Sequence, residues 1–255
     1  MIIRQIRTNM FRLTRVVVNT DGNILAELSE INRAGWVLTG GRSSRMGTDK
    51  ALLEMGGRPL VLRVADQIGK VCGAVTLVGD PVKYGSLGLP VIGDRYRDQG
   101  PLAGIEAALG ATEADWNLIV ACDMPGLEAG WIETLFVVAE EGDGLDAVVP
   151  VHAGTGGLSA APSRSRFGTD GDGAGKERDG VGKEGEEDKE GAIEPLCAVY
   201  HRRCGVEAAV RLQAGLRKVI DFVGGLEKVR YVRVSRSEQF ANLNTPDDAA
   251  RYPNG

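Results

Sequence analysis

Short apolar runs alternate with stretches of helical spacing along most of this chain. Gly35 to Thr39, Ala74 to Val78, Leu89 to Ile92, Asn117 to Ala121, Ala147 to Val151, Leu196 to Val199 and Val229 to Val234 each read as strands. Behind Pro59, the residues Leu60, Val61, Val64, Ala65 and Ile68 recur at helical spacing. Pro101 to Leu109, Trp131 to Ala139 and Val206 to Val219 read as helices, and Pro246 to Arg251 as a short last one. Apolar strands separated by amphipathic helices predict an α/β fold with a parallel sheet covered on both faces. Ligands of such sheets bind beyond the carboxyl ends of the strands. The loops after Thr39 and Ala121 are therefore where chemistry is expected.

Two segments fall outside this pattern. Residues 1–33 form an N-terminal extension, expected to be additional to the domain and either poorly ordered or non-native, as from a start codon placed too far upstream. It holds one strand, Leu13 to Val18, and the turn signal Asp21-Gly22-Asn23, so Phe11 to Leu28 can pair as a hairpin. Residues 153–192 contain eleven Gly and fifteen charged residues in forty. Such a stretch buries too little apolar surface to offset its ordering entropy, and it reads as a disordered insert within the domain 34–255.

Composition narrows the function. With 30 Lys plus Arg against 35 Asp plus Glu, the net charge is −5, which argues against a nucleic-acid binder with a basic face. No apolar run approaches the length of a membrane span. The extension carries Arg4, Arg7, Arg12 and Arg15 and faintly resembles a transit peptide, but it lacks the apolar core of a secretory signal. Cys72, Cys122, Cys197 and Cys204 form no C-x-x-C pair. They read as reduced thiols of a cytoplasmic protein. His152 and His201 show no partner pattern and read as surface or strand-end residues. The 36 Gly are about twice the usual ~7%. The insert accounts for part of that excess, and a glycine-rich loop accounts for more.

That loop is Leu38-Thr39-Gly40-Gly41-Arg42-Ser43-Ser44-Arg45-Met46-Gly47-Thr48-Asp49-Lys50. Gly40 and Gly41 let the backbone approach a ligand and turn successive amides towards it. Arg42, Arg45 and Lys50 add positive charge, and the serines add hydroxyl donors. The composition suits a polyphosphate. The spacing matches neither a G-x-G-x-x-G fingerprint nor a Walker loop. In the second loop, Ile119-Val-Ala-Cys-Asp123-Met-Pro125, one carboxylate stands just past a buried strand. Mg²⁺ typically takes one or two protein carboxylates and completes its shell with phosphate oxygens and water. Asp123 suits that demand, and alone it would equally suit a helix cap.

The segment 38–52 resembles the N-terminal motif of the molybdenum cofactor guanylyltransferases, prokaryotic nucleotidyltransferases that join GMP to molybdopterin. Cys122-Asp123-Met124-Pro125 resembles their Cys-Asp-x-Pro motif. Asp94 with Gly100-Pro101-Leu102-Ala103-Gly104 resembles their Asp and Gly-Pro-Leu-Ala-Gly turn. Asn242-Leu243-Asn244-Thr245-Pro246 resembles their Asn-x-Asn-Thr-Pro. The resemblance implies a three-layer Rossmann-like nucleotidyltransferase fold with a mostly parallel sheet. It implies GTP and molybdopterin as substrates, with molybdoenzymes or their chaperones as further partners.

By the same resemblance Lys50 and Arg45 serve catalysis at the phosphates, and Asp123 binds Mg²⁺. Leu38, Thr39, Gly40, Gly41 and Asp94 hold the nucleotide, while Asn242 and Asn244 hydrogen-bond the pterin or its phosphate. Two departures stand out. Thr39 replaces the usual Ala, and Val78-Gly79-Asp80 lacks the family Asn that reads the nucleotide. Arg217 and Lys218 could meet an anionic substrate, but they read rather as a solvated helix face. A cytidylyltransferase, a sugar-phosphate nucleotidyltransferase and a non-catalytic nucleotide-binding accessory protein remain the alternatives.

Overall fold

The computed structural model describes residues 2–9, 12–18, 20–21, 24–39, 49–152 and 192–234, with side chains from Arg33 onward apart from Thr20 and Asp21. The elements run β1 (Ile2–Asn9), β2 (Arg12–Val18), β3 (Ile24–Leu38), β4 (Glu54–Met55), β5 (Arg58–Pro59), α1 (Leu60–Cys72), β6 (Val75–Val78), α2 (Pro81–Tyr84), β7 (Val91–Ile92) and α3 (Pro101–Ala111). They continue β8 (Trp116–Ala121), α4 (Ala129–Glu141), β9 (Ala147–His152), β10 (Ala192–Ile193), β11 (Cys197–His201), α5 (Cys204–Gln213), α6 (Val219–Gly225) and β12 (Val229–Arg233). Residues 153–191 of the expected insert 153–192 and the expected last helix at Pro246 lie outside the described residues; Ala192, the last residue of that insert, belongs to β10.

The central sheet has the order β7-β6-β3-β8-β11-β9-β12. Strands β7, β6, β3 and β8 are parallel, and so are β9 and β12. The sequence pattern predicts a parallel sheet and the resemblance a mostly parallel one; β11 runs antiparallel between β8 and β9. This reversal brings the start of β11 to the sheet edge where β3, β8 and β9 end. Strands β1 and β2 extend the first half of β3 as an antiparallel meander, and β2 pairs with β3 as the hairpin pattern predicts. Residue 33, the last of the expected extension, lies within β3.

Alternation along the strands divides the core into two layers. Val37, Leu118, Val120 and Val199 face α1 and α4, where Val61, Val64, Ile68, Ile132 and Phe136 cover them. Trp36, Leu38, Ile119 and Tyr200 face α3, α5 and α6, against Leu102, Ile105, Leu212 and Phe222. Glycines set two element ends. Gly73, at φ +78°, closes α1. Gly215, at φ +76°, stops the helix expected over Val206 to Val219 and divides it into α5 and α6. Among the described residues no helix is long and apolar enough to cross a membrane. All four cysteines are buried and free.

Asp146 ties three elements together. Its Oδ1 accepts from Arg203 Nε at 2.7 Å, and its Oδ2 from the backbone N–H of Glu227 and Lys228 at 3.0 and 2.9 Å. Burial pushes this carboxyl up, but the Arg203 guanidinium and the two amides outweigh it and hold it below the ordinary value. A depressed carboxyl contributes stability above its unfolded value of about 4 and loses it as pH falls further. Asp146→Ala is expected to lower the unfolding free energy by about 2–3 kcal/mol in urea titrations at pH 7. The gap should narrow below about pH 4. A gap unchanged by acid would contradict the ionic origin of the contact.

Candidate functional site

The loop that follows β3 is clamped at both ends. Thr39, immediately before it, donates its backbone N–H and its hydroxyl to the carbonyl of Val78, at 3.0 and 2.8 Å. Asp49, immediately after it, caps a 3₁₀ turn at Lys50–Leu52 by accepting from the Ala51 N–H at 3.0 Å. The Tyr84 hydroxyl lies 2.7 Å from Asp49 Oδ2 and 3.2 Å from the Thr39 carbonyl, so one group bridges the two ends. Lys83 Nζ adds an ion pair to Asp49 at 2.5 Å. Burial pushes the Asp49 carboxyl up; the hydrogen bonds from Lys83, Tyr84 and Ala51 outweigh it and hold the carboxyl low. Gly79 completes the clamp, since a Cβ there would lie 1.9 Å from Thr39 Oγ1 and 2.9 Å from the Tyr84 ring.

Lys50 stands next in the chain, with its Nζ 3.6 Å from Asp123 Oδ2. Asp123 follows β8, the neighbour of β3, so strand order alone brings the two loops together. Burial raises the Asp123 carboxyl, and Lys50 offsets only part of that. Cys122 beside it is a buried thiol pushed up to about 12, chiefly by burial and then by Asp123, which makes it inert as a nucleophile.

On the other flank of β3, a cavity of about 620 Å³ is lined by Leu38, Val78, Gly79, Asp94, Gly100 and Arg217, among others. Asp94 Oδ1 and Gln99 Oε1 are buried there with no hydrogen-bond partner among the described residues. Burial raises the Asp94 carboxyl, Arg97 opposes the rise, and Asp98 adds to it. Orphaned buried acceptors on a cavity wall await a donor, which a bound molecule can supply. Asp98, also on this wall, takes a left-handed backbone with φ +60°.

The structure therefore gathers Leu38, Thr39, Lys50, Asp94 and Asp123 along one sheet edge. Gly40, Gly41, Arg45, Asn242 and Asn244 lie outside the described residues. Arg217 is exposed as expected, but it stands in the loop after Gly215 instead of on a helix face, and it lines the cavity. His152 sits at a strand end but is buried, with Nε2 2.7 Å from Glu194 Oε1. Sequence reasoning missed Asp49 as a clamp, Tyr84, and the His152–Glu194 pair. Asp49 alone carried a local signal, as a cap residue before a short turn.

Residues 35–230 match the family model of the MobA-like NTP transferase domain. A probable molybdenum cofactor guanylyltransferase of Pelotomaculum thermopropionicum is 32% identical over 229 residues, covering 87% of this chain and 92% of that protein. A molybdenum cofactor guanylyltransferase of Cereibacter sphaeroides is 33% identical over 220 residues, covering 85% of this chain and 93% of its own length. The crystal structure of molybdopterin-guanine dinucleotide biosynthesis protein A from Archaeoglobus fulgidus superposes with a TM-score of 0.62 at 24% identity. It covers 86% of this chain and 95% of that one. The three-layer, Rossmann-like architecture with a mostly parallel sheet is thus the fold observed.

Proposed function

This chain belongs to the MobA-like NTP transferases, and from that premise we propose that it transfers GMP from GTP to molybdenum-bound molybdopterin, releasing pyrophosphate. The observation that carries the reading is the Lys50–Asp123 pair, 3.6 Å apart at the carboxyl edge of the sheet. It stands between a cavity with unpartnered acceptors and the His152–Glu194 pair. Lys50 neutralises phosphate charge. The Gly40 and Gly41 amides and Arg45, outside the described residues, complete the phosphate cradle in this reading.

Among the described residues no group of three or more His, Cys, Asp or Glu is placed to hold a metal. Mg²⁺ held with a nucleotide takes one or two protein carboxylates, so a single carboxylate suffices. Asp123 fits it: burial disfavours its charge and a single ammonium offsets that only in part, which leaves room for a cation. When bound there, Mg²⁺ supplies positive charge to the α-phosphate and the departing pyrophosphate. The acceptor is already a phosphate oxyanion, so positioning and charge neutralisation are the main tasks and no general base is required. Its oxygen bonds to the α-phosphorus as the bond to the pyrophosphate oxygen breaks.

Nucleotide choice falls to the cavity. Guanine presents adjacent N1–H and 2-amino donors that match a carboxylate, and Asp94 offers an unpartnered acceptor to them. CTP or ATP would leave such acceptors unsatisfied, at about 1–3 kcal/mol each. Two unsatisfied acceptors correspond to roughly a hundredfold preference for GTP, read as pyrophosphate release with each nucleotide. Asp94→Asn is expected to narrow that preference at least about tenfold while Mg²⁺ dependence persists. Equal rates with GTP and CTP would move the chain to the cytidylyl branch. Delivery of the product to molybdoenzymes or their chaperones, in the cytoplasm, belongs to the same reading.

A further inference from the structure

The sheet edge carries a third cluster beyond the cavity and the Lys50–Asp123 pair. His152 ends β9, and Glu194 stands between β10 and β11 with its N–H donated to the Pro150 carbonyl at 3.0 Å. Strand β11 lies between β8 and β9 and joins the end of β8 through the Ala121 N–H and the Leu196 carbonyl, 2.8 Å apart. Glu194 is therefore one strand away from Asp123, on the side opposite the cavity, and its carboxyl feels the Asp123 charge. The order along the edge is cavity, Lys50–Asp123, then Glu194–His152.

The Glu194 carboxylate is held, yet accessible. Its Oε1 lies 2.7 Å from His152 Nε2, and the two side chains are 19% and 8% exposed. With the carboxylate ionised, Nε2 carries the proton and donates. A carboxylate has about four acceptor positions, so both oxygens retain capacity after this bond. The mechanism above leaves that capacity unused.

We infer that Glu194, positioned by His152, binds the acceptor through the donor edge of its pterin, the ring N–H and 2-amino group meeting the two carboxylate oxygens. The inference rests on the proposed transfer to a pterin. It follows from placement: with the base at one end of the edge and the reacting phosphates at its centre, the acceptor ring extends towards the other end. A planar pair of donors selects a carboxylate held in one orientation, and such charge-assisted pairs are the stronger hydrogen bonds. Glu194 is then a binding residue, and His152 is a positioning residue that acts through it.

The test uses the full chain with Glu194→Gln, which keeps an acceptor for His152 but turns an amide NH₂ towards the pterin donors. Two fluorescent probes, 6-carboxypterin and 6-carboxylumazine, differ at position 2, where the first carries an amino group and the second an oxo group with a proton at the neighbouring N1. Wild type is expected to bind the pterin at least about tenfold more tightly, and Glu194→Gln to lose that preference. Its KM for molybdopterin should rise about ten- to hundredfold while KM for GTP and the melting temperature hold. His152→Ala should weaken pterin binding, and His152→Gln should restore part of it.

A Glu194→Gln variant that keeps the preference and the molybdopterin KM would overturn the inference and leave the pair as a clasp between β9 and β10. So would a wild type that binds both probes equally or neither, or a variant whose GTP KM alone rises. The probe titration involves no GTP. Absence of transfer by the wild type would therefore count against the proposed function and be distinguishable from failure of the Glu194 assignment.

Discussion

Asp123→Asn is expected to lower guanylyl transfer by about 10²–10³-fold, the range set by losing one preorganised charge contact at a reacting phosphate. The amide keeps the shape of the side chain but binds Mg²⁺ weakly and no longer pairs with the Lys50 ammonium 3.6 Å away. Folding should not suffer. The folded carboxyl is raised chiefly by burial, so its ionised form at neutral pH costs stability, and the neutral amide removes that cost. A melting temperature equal to or slightly above wild type, with activity nearly gone, is the expected pair of results. Near-normal turnover with the same melting curve would remove Asp123 from the metal role.

Arg33→Ala is expected to cost about 3–5 kcal/mol of stability, a large part of the 5–15 kcal/mol typical of a domain. The Arg33 side chain is 1% exposed and that of Glu140 is 6% exposed. Nε and Nη2 of Arg33 reach the two Glu140 oxygens at 2.5 and 2.9 Å, and Nη1 reaches Glu133 at 2.9 Å. The guanidinium also lies 4.6 Å over the Phe136 ring. Removing it takes the guanidinium away from the buried Glu140 charge. The double variant Arg33→Met with Glu140→Met should recover most of the loss, because it leaves no such charge behind. Chemical denaturation of the two variants checks this. A loss under about 1 kcal/mol for Arg33→Ala would show that water already reaches Glu140.

The strands and helices around the site were legible because their signals are local. Leu118 to Ala121 is apolar on both faces of its strand, and α1 carries its stripe behind Pro59. Asp123 could be singled out because strand ends in parallel sheets are where ligands bind, and Lys50 because it closes a glycine-rich loop. What stayed hidden depends on contacts between distant parts of the chain. Tyr84 bridges Thr39 and Asp49 from 45 and 35 positions away, and nothing near Tyr84 in the sequence announces it. The carboxylate partners of Arg33 lie 100 and 107 positions on. The antiparallel turn of β11 was hidden too, since a strand buried on both faces reads the same in either direction. That one reversal carries Glu194 to the edge where Asp123 stands. Arg217 reached the cavity through a single left-handed glycine, Gly215, inside a run whose periodicity continued past it.

Transfer itself is the most direct test. The purified chain, incubated with Mg²⁺, molybdenum-bound molybdopterin and GTP labelled at the α-phosphate, should move label into a pterin product and release one pyrophosphate for each label transferred. CTP or ATP should give about a hundredth of that rate. Tight GTP binding with no label in the pterin would contradict the reading, and would leave the chain a nucleotide-binding accessory protein built on a transferase fold.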